Sequence, residues 1–339
     1  MKNKEIDIFA KRGNSMKTLS SIKANRLEKK KIGNKKTISI QARAKKLMIS
    51  MAIYLIITCL AYIILYPFII KILSSFKSIN DLYDETVNLI PKHLSFDIVA
   101  MAMQEMGFNK ALMNSLILTS FVSILQLISA TMIGYGLARF KFIGRNLLFV
   151  LVIVSLLIPA QTTMTAMYLN FRYFDLLGLF KLITGNSLNL IDTIAPFGLL
   201  GITGFGLKNG LYIYLSMQFF KGIPKELEEA AYVDGAGAIR TFRSIMLPNA
   251  VPIMITIFLF SSCWQWTDTY YSGLFLNNWS VLPRSISKIL TYDNGLGDPI
   301  LVSAMTNAAI LMIIAPLVVL YIFCQKYFVQ GIEKSGLVG

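Results

Sequence analysis

The residues whose types and spacing suggest chemistry lie in one polar segment, residues 221–248. Within it, acidic side chains stand beside a run of small residues: Glu229, Ala230, Ala231, Asp234 and Gly235. Small side chains let another protein approach closely, and a neighbouring carboxylate can pair with a basic group of that protein. On physical grounds alone, the segment suits a protein-docking surface and an amphipathic hairpin lying on a bilayer equally well.

The same segment predicts two short helices joined by a turn. Residues 225–233 are mostly good helix formers. Gly235 and Gly237 interrupt this helix, because glycine adopts left-handed backbone without a steric penalty. We expect a second helix over residues 238–246, after which Pro248 begins the next apolar block.

Catalytic and metal-binding chemistry find no support in the sequence. His93 is the only histidine, and Cys59, Cys263 and Cys324 lie far apart in apolar blocks. Neither a His/Cys metal site nor a Ser/His/Asp triad can be assembled from them. The sequence also lacks the Gly-x-x-x-x-Gly-Lys-Ser/Thr phosphate loop. We therefore predict a chain that is not an enzyme, with no catalytic residue, no bound metal and no ATP site of its own.

The elements that must position the polar segment are long apolar blocks. Of the 339 residues, 55% are hydrophobic and 15% charged, and the mean hydropathy is +0.59. Soluble domains carry about 25% charged residues. A hydrocarbon core about 30 Å thick needs about 20 helical residues. Six blocks predict an all-α integral membrane protein with six transmembrane helices, over residues 47–73, 112–138, 147–170, 193–220, 249–271 and 300–324.

The charge distribution predicts the orientation. The net charge is +15, but residues 1–46 contain 15 Lys/Arg and 3 Asp/Glu, so the basicity belongs to a tail and does not indicate nucleic-acid binding. With the N-terminus inside, the inner segments hold 24 Lys/Arg and the outer segments 7. We expect a basic cytoplasmic tail over 1–46 that touches anionic lipid, a six-span domain over 47–324 with a cytoplasmic loop over 221–248, and a cytoplasmic tail over 325–339.

Polar residues inside the spans are candidates for a transport pathway, because they are costly in lipid. Lys208 and Asn209 lie in the fourth block. They line a pathway or, alternatively, Lys208 snorkels where nearby glycines break the helix. Trp264 and Gln265 lie in the fifth block. They suit an interfacial aromatic belt, or a sugar platform on which the indole stacks while Gln265 bonds to hydroxyl groups.

The polar segment resembles the EAA loop of bacterial ABC importer permeases. Glu229-Ala230-Ala231 is followed at matching distances by Asp234-Gly235 and by Ile245, Leu247 and Pro248, without a gap. In that family the loop is a coupling helix that docks into a groove of the ATP-hydrolysing subunit. The resemblance implies the same docking here, with Glu229 and Gly235 at the contact.

Other residues resemble the carbohydrate-uptake branch of that family, the maltose-type inner-membrane permeases. These residues are Phe108-Asn109, Ala138-Arg139-Phe140, Pro159, and a C-terminal segment with Gln330 and Gly331. In some members this tail reaches the interface of the ATP-binding subunits, which implies such a contact for Gln330 and Gly331. The resemblance begins at about residue 47, and residues 176–192 look like extra sequence.

The resemblance implies a type I ABC importer permease fold and a bacterial cytoplasmic-membrane protein that imports a sugar or oligosaccharide by alternating access. It also implies two partner subunits that bind ATP and Mg²⁺, a second and unlike permease subunit, and an extracellular solute-binding protein. Two alternatives stay open: the same machine carrying a peptide, polyamine or other small solute, and a gradient-driven secondary transporter. The latter would need buried acidic relays, and the spans contain almost none apart from Asp268 near a membrane end.

Overall fold

A computed structural model describes residues 45–292 and 298–336, without the side chains of residues 184 and 327–336. Every regular element in those ranges is a helix, which confirms the all-α fold class. The helices are α1 Lys45–Ser75, α2 Ile79–Tyr83, α3 Asp97–Met106, α4 Phe108–Arg139, α5 Arg145–Leu157, α6 Ala160–Arg172, α7 Leu179–Thr184, α8 Ala195–Thr203, α9 Asn209–Gly222, α10 Glu226–Val233, α11 Ala238–Trp266, α12 Tyr270–Phe275, α13 Leu282–Leu290 and α14 Pro299–Gly336.

The chain divides into two compact units, Met1–Ile69 and Ile70–Gly339. The described part of the first unit is most of α1, whose most apolar 18 residues have a mean hydropathy of 2.5. In the second unit, α4 packs against both α9 and α11 and forms the centre of the helix packing. Among the described residues of this unit, buried apolar side chains form three clusters, around Met305, Phe220 and Phe275.

Among the residues that the structure describes, four helices are long and apolar enough to cross a membrane. They coincide with the first, second, fifth and sixth predicted spans: Lys45–Ser75, Phe108–Arg139, Ala238–Trp266 and Pro299–Lys326. A fifth crossing requires α5 and α6 to act as one pair, bent by 103°. The prediction of six spanning helices is therefore confirmed for four, or five with the bent pair. The predicted third and fourth spans, residues 147–170 and 193–220, are each interrupted.

Proline and glycine explain both interruptions. Pro159 has no backbone N–H, and its ring disfavours helical backbone at Ile158, so α5 ends at Leu157. In the fourth block, Gly204 adopts φ +84° where α8 ends, and Lys208 adopts φ +59° immediately before α9. Hydropathy does not register backbone conformation, which is why it predicts one continuous helix at each site.

A glutamine from α4 stabilises the interruption between α8 and α9. Gln126 Nε2 donates to the carbonyl oxygen of Leu207 at 3.1 Å, and Gln126 Oε1 accepts a short hydrogen bond from the Ser261 hydroxyl of α11. Nearby, Ser129 Oγ donates to the carbonyl oxygen of Gly201 at 2.7 Å. Backbone carbonyls left unpaired in lipid are costly, so these side chains replace missing helical hydrogen bonds.

Helix α11 corrects the expectation of a short helix over residues 238–246. It continues to Trp266 through one π-helical turn, Phe242–Met246. The proline nitrogen of Pro248 has no hydrogen to donate, and just before it the N–H of Leu247 bonds to the carbonyl of Phe242 in the wider π pattern. Residues 221–248 thus contain the end of α9, the short helix α10, a turn and the start of α11.

Residues 176–192 form a structured excursion that contains α7. Backbone hydrogen bonds between Phe174 and Leu188 join its two ends. Asp192, with φ +64°, connects it to the loop after α12, because Asp192 Oδ1 accepts the N–H groups of Asn277 at 2.5 Å and of Asn278 at 3.0 Å. Hydrogen bonds of Asp192 therefore join the segment 176–192 to the neighbouring loop.

Candidate functional site

Helix α10, Glu226–Val233, is the short helix of the polar segment and is separate from the long helices in the chain. Its first turn contains three glutamates: Glu226, Glu228 and Glu229. Their charges interact favourably with the positive end of the helix dipole. At the other end, Gly235 adopts φ +77° and the N–H of Ala236 donates to the carbonyl of Ala231 at 2.9 Å, a glycine-terminated helix end.

The two sides of α10 have different environments. Glu228 and Ala231 are buried, whereas Glu229 and Ala230 are exposed. Val233 and Ile239 are apolar and yet 87% and 85% exposed. These two side chains leave apolar area that the described part of the chain does not cover. We call the exposed group the α10 surface, which consists of Glu229, Ala230, Val233, Asp234, Gly235 and Ile239.

The predicted docking residues divide between this surface and the protein interior. Ala231 is turned inward. Ile245 and Leu247 are half-buried in α11, and Ile245 packs against the cluster around Phe220. Pro248 is exposed on the same helix. The structure therefore brings four of the eight predicted residues together on the α10 surface.

Gly235 faces open space on this surface. A Cβ atom built on Gly235 would have no other atom of the protein within 4 Å. Packing within the chain does not require glycine here, and only the positive φ favours it. A larger side chain at residue 235 would project into whatever docks on the α10 surface.

Glu228 connects α10 to the end of α4. Its Oε1 accepts a hydrogen bond from the Tyr135 hydroxyl at 3.0 Å, and its Oε2 lies 3.4 Å from Arg139 Nε. Arg139 Nη2 donates to the carbonyl oxygen of Ile223, just before α10, at 2.5 Å. The buried pair holds α10 against the end of α4.

Sequence reasoning missed this contact. It gave Glu229 and Asp234 as the carboxylates of the docking surface and named Arg139 only as part of a family pattern. A signal was available, because Glu228 and Ala231 are three residues apart and share a face of a helix that Glu229 does not. Identifying the partner of Glu228 required the fold, since residue 139 is distant in the chain.

Aromatic rings surround the Tyr135 end of this contact. The ring centre of Tyr135 lies 4.6 Å from that of Phe242, 5.3 Å from that of Phe220 and 5.5 Å from that of Phe140. These rings belong to α11, α9 and the residue after α4, respectively. The Glu228 contact thus lies where α4, α9 and α11 pack together.

A cavity of about 710 Å³ lies at the opposite end of α9 from α10. Its walls come from the break between α5 and α6, the break between α8 and α9, and the last residues of α11 with the loop that follows. Both helix interruptions therefore border the same cavity. A cavity of this size suits a small organic ligand.

Three of the four predicted pathway residues border this cavity. Lys208 Nζ lies 5.1 Å from the centre of the Trp264 ring, in a cation–π contact. Asn209 lies at the cavity wall, but its Nδ2 donates to Ser129 Oγ at 3.3 Å inside the helix packing. Gln265 is buried, 5% exposed, and is not part of the cavity wall.

Asp268 is the carboxylate among the residues that line this cavity. Its Oδ1 accepts the N–H groups of Tyr270 at 3.1 Å and Tyr271 at 3.0 Å, and its Oδ2 accepts that of Ser272 at 2.8 Å. Asp268 therefore caps the first turn of α12. The backbone of Gln330 and Gly331 lies within α14, and the side chain of Gln330 is outside the described part of the structure. In the described part of the chain, no three His, Cys, Asp or Glu side chains converge as a metal site would require.

The chain is similar in sequence to known transport proteins. The family model described as binding-protein-dependent transport system inner membrane component matches residues 130–334. The arabinooligosaccharides transport system permease protein AraQ of Bacillus subtilis is 30% identical over 298 residues, 85% of this chain and 95% of AraQ. The melibiose/raffinose/stachyose import permease protein MelC of the same organism is 27% identical over 303 residues, 88% of this chain and 99% of MelC.

The fold has a counterpart among solved structures. A crystal structure of a bacterial ABC transporter involved in the import of the acidic polysaccharide alginate contains a chain that superimposes with a TM-score of 0.68. The superposition covers 83% of this chain and 96% of that chain, at 23% sequence identity. At this identity the likeness concerns the fold.

Proposed function

This chain belongs to the family of binding-protein-dependent transport system inner membrane components, and from that premise we propose that it is the permease subunit of an ATP-driven importer for a sugar or oligosaccharide. The observation that carries the proposal is the α10 surface, on which four of the eight EAA-pattern residues, Glu229, Ala230, Asp234 and Gly235, are exposed in the described part of the chain. The oligosaccharides named for AraQ and MelC support the substrate class.

The α10 surface is the contact with an ATP-hydrolysing subunit. Val233 and Ile239 offer apolar area for burial, and Glu229 offers a charge for pairing with a basic side chain. ATP and Mg²⁺ bind to two such partner subunits, and this chain binds neither. Residues 330 and 331 of the C-terminal helix contribute a further contact with those subunits.

The remaining partners follow from the same assembly. A second, unlike permease subunit completes the pore, and an extracellular solute-binding protein delivers the sugar to the loops on the far side from α10. Both termini lie in the cytoplasm of a bacterial cell, and the basic tail of residues 1–46 contacts anionic lipid of the cytoplasmic membrane.

The cavity at the end of α9 is part of the substrate pathway, with Lys208 and Trp264 at its wall. Closure of the ATP-binding subunits moves α10, and the Glu228–Arg139 contact transfers that motion to α4. Because α4 holds the break between α8 and α9 through Gln126, its movement changes the cavity. The result is alternating access, in which packed elements switch between two arrangements.

A co-purification experiment with matched glycine variants tests the proposal. The tagged chain is expressed in its own host, solubilised in detergent and isolated as wild type, Gly235→Asp and Gly185→Asp. Both glycines have positive φ, +77° and +76°, and a Cβ on either meets no atom within 4 Å. Backbone strain is therefore matched, and only Gly235 lies on the α10 surface.

We expect wild type and Gly185→Asp to retain an ATPase subunit and a second permease, and Gly235→Asp to lose the ATPase. Sugar added with the solute-binding protein should stimulate ATP hydrolysis by the wild-type complex. A chain that purifies without an ATPase would contradict the proposal, as would equal retention by both variants. Stimulation by peptides or polyamines in place of sugars would contradict the substrate class alone.

A further inference from the structure

The turn that joins α4 to α5, residues 140–144, exposes apolar side chains at its tip. The N–H of Arg145 donates to the carbonyl of Phe142 at 3.3 Å, and Gly144 adopts φ +89°. Phe142 is 45% exposed in this turn, and Ile143 is fully exposed, at 104%. Removing such apolar area from water is favourable, so the tip of the turn suits an apolar environment.

The same turn has basic residues on both sides of its tip. Lys141 is exposed and Arg145 is half-buried, and neither takes part in an ion pair in the described part of the chain. Residues 106–174, which include α4, the turn and α5, contain no aspartate or glutamate. Apolar side chains flanked by cations without acidic neighbours suit the surface of an anionic membrane.

The neighbouring helices place this turn at the surface of the bilayer. Helix α4 is long and apolar enough to span a membrane, and its end at Arg139 contacts α10 through Glu228. On the other side of the turn, α5 begins at Arg145, and its apolar run begins at the exposed residue Leu147. Two helical residues rise only about 3 Å. The turn therefore lies at the level of the lipid headgroups, on the same side of the membrane as α10.

The charges differ between the two exposed apolar groups on this side of the membrane. The α10 surface includes the carboxylates of Glu229 and Asp234, which an anionic leaflet repels. The turn has Lys141 and Arg145 instead, which such a leaflet attracts. The chain thus presents one apolar group that suits a protein partner and another that suits lipid.

We propose that the turn between α4 and α5 binds anionic phospholipid, with Phe142 and Ile143 among the acyl chains and Lys141 and Arg145 at the phosphate group. This inference goes beyond the proposed function and rests on it only for the cytoplasmic location of α10, which puts the turn at the anionic leaflet. Lipid fits the turn better than a protein partner does, because both helices that the turn joins continue into the bilayer.

Quenching of fluorescence by brominated lipid tests where the tip of the turn lies. Ile143→Trp places an indole at the tip, and Ile239→Trp places one on the α10 surface, where the native side chain is also exposed. The complex of each variant with its partner subunits is reconstituted in phosphatidylcholine nanodiscs. These contain a fixed minor share of a lipid with brominated acyl chains, either phosphatidylglycerol or phosphatidylcholine. The quenching of the native tryptophans, measured in wild type, is subtracted.

We expect brominated phosphatidylglycerol to quench Ile143→Trp as if enriched at least about fivefold over brominated phosphatidylcholine, since two basic residues near a membrane surface favour anionic lipid by that factor or more. Adding Lys141→Gln and Arg145→Gln should remove the preference and leave quenching by phosphatidylcholine unchanged. Lys110→Gln with Arg172→Gln is the matched control, because it removes the same two charges from exposed residues elsewhere. This control should retain the preference.

Three results would each overturn the inference: no quenching of Ile143→Trp, equal quenching by the two brominated lipids, or a preference that survives the loss of Lys141 and Arg145. Ile239→Trp should stay unquenched, because the ATPase subunit covers it. Quenching of Ile239→Trp, or a complex that lacks an ATPase, would contradict the proposed function and leave the inference about the turn standing.

Discussion

Arg139 at the end of α4 and Glu228 in α10 form a buried ion pair, with 3.4 Å between Nε and Oε2. The carboxylate also accepts a hydrogen bond from Tyr135, and the guanidinium donates to the carbonyl of Ile223. A buried charge is stable only with partners, so losing one partner leaves the other uncompensated. The pair therefore ties the position of α10 to that of α4.

We predict that Glu228→Gln uncouples ATP hydrolysis from transport. The amide keeps the size of the side chain but removes the charge that compensates Arg139, which destabilises the contact by about 3 kcal/mol. In proteoliposomes, the number of sugar molecules moved per ATP hydrolysed should fall severalfold. The ATPase subunit should still co-purify, because Glu228 does not belong to the α10 surface.

Glu226→Gln is the matched control for this prediction. Glu226 lies in the same first turn of α10 but is exposed. Its substitution should change the transport-to-hydrolysis ratio by less than the Glu228 variant does. Equal effects of the two substitutions would show that the charge of the helix N-terminus matters and that the buried pair does not.

We predict that replacing either of two glycines in α4 with alanine changes the stability of the protein, in opposite directions at the two positions. A Cβ on Gly134 would lie 2.5 Å from Ser216 Oγ and 2.9 Å from the backbone nitrogen of Met217, whereas a Cβ on Gly136 meets nothing within 4 Å. Gly134→Ala should lower the free energy of unfolding by about 1–3 kcal/mol through overpacking against α9. Gly136→Ala should raise it by up to about 1 kcal/mol through helix propensity.

Thermal unfolding of the detergent-solubilised protein measures both variants against wild type. The midpoint should fall for Gly134→Ala and stay equal or rise for Gly136→Ala. A fall of similar size in both variants would show that the α4–α9 approach does not depend on the missing side chain at residue 134.

Asp81 lies in α2. From its contacts we predict that the stability of the folded protein depends on pH. The backbone N–H of His93 donates to Asp81 Oδ2 at 2.7 Å, and the His93 ring lies 3.1 Å from Oδ1. These contacts lower the pKa of Asp81 below 3.8. Because the folded-state pKa is the lower one, the stabilisation is fully present above the unfolded-state pKa and is lost as the pH falls through the folded-state value.

Comparison of wild type with Asp81→Asn checks this prediction. The difference in unfolding midpoint should be present at about pH 5 and should narrow once the pH falls below about 3.8, as Asp81 becomes protonated. A difference that does not vary over the whole range would show that the ionised carboxylate of Asp81 contributes nothing to stability.

We predict that Asp192 protects the segment 176–192 from proteolytic cleavage. Asp192→Ala removes the acceptor of the Asn277 and Asn278 N–H groups and places alanine at φ +64°. Asp192→Asn keeps an acceptor oxygen, and asparagine tolerates left-handed backbone. Limited proteolysis of the purified protein should therefore cleave Asp192→Ala within residues 176–192 or 276–281 much faster than Asp192→Asn. Equal cleavage rates would contradict the anchoring role.

Local sequence was sufficient for the helical class, for four of the spans and for α10. Long apolar blocks form helices in lipid whatever surrounds them, because a membrane leaves backbone groups no other partners. The end of α10 at Gly235 was also predictable, since a positive φ is a local property of glycine. The family pattern around Glu229 and Gly235 likewise needed no coordinates, and their contact with an ATPase stays a prediction.

Other features depend on residues that are far apart in the chain. Gln126 of α4 donates a hydrogen bond to the backbone of the interruption at residues 204–208. The cavity forms only where two helix interruptions and the end of α11 come together. The burial of Glu228 beside Arg139, and the placing of Lys208 over Trp264, are likewise pairings between distant elements. Periodicity and hydropathy describe each residue with its near neighbours, whereas the energy of a buried charge depends on which distant group faces it, and only the packing of the helices decides that.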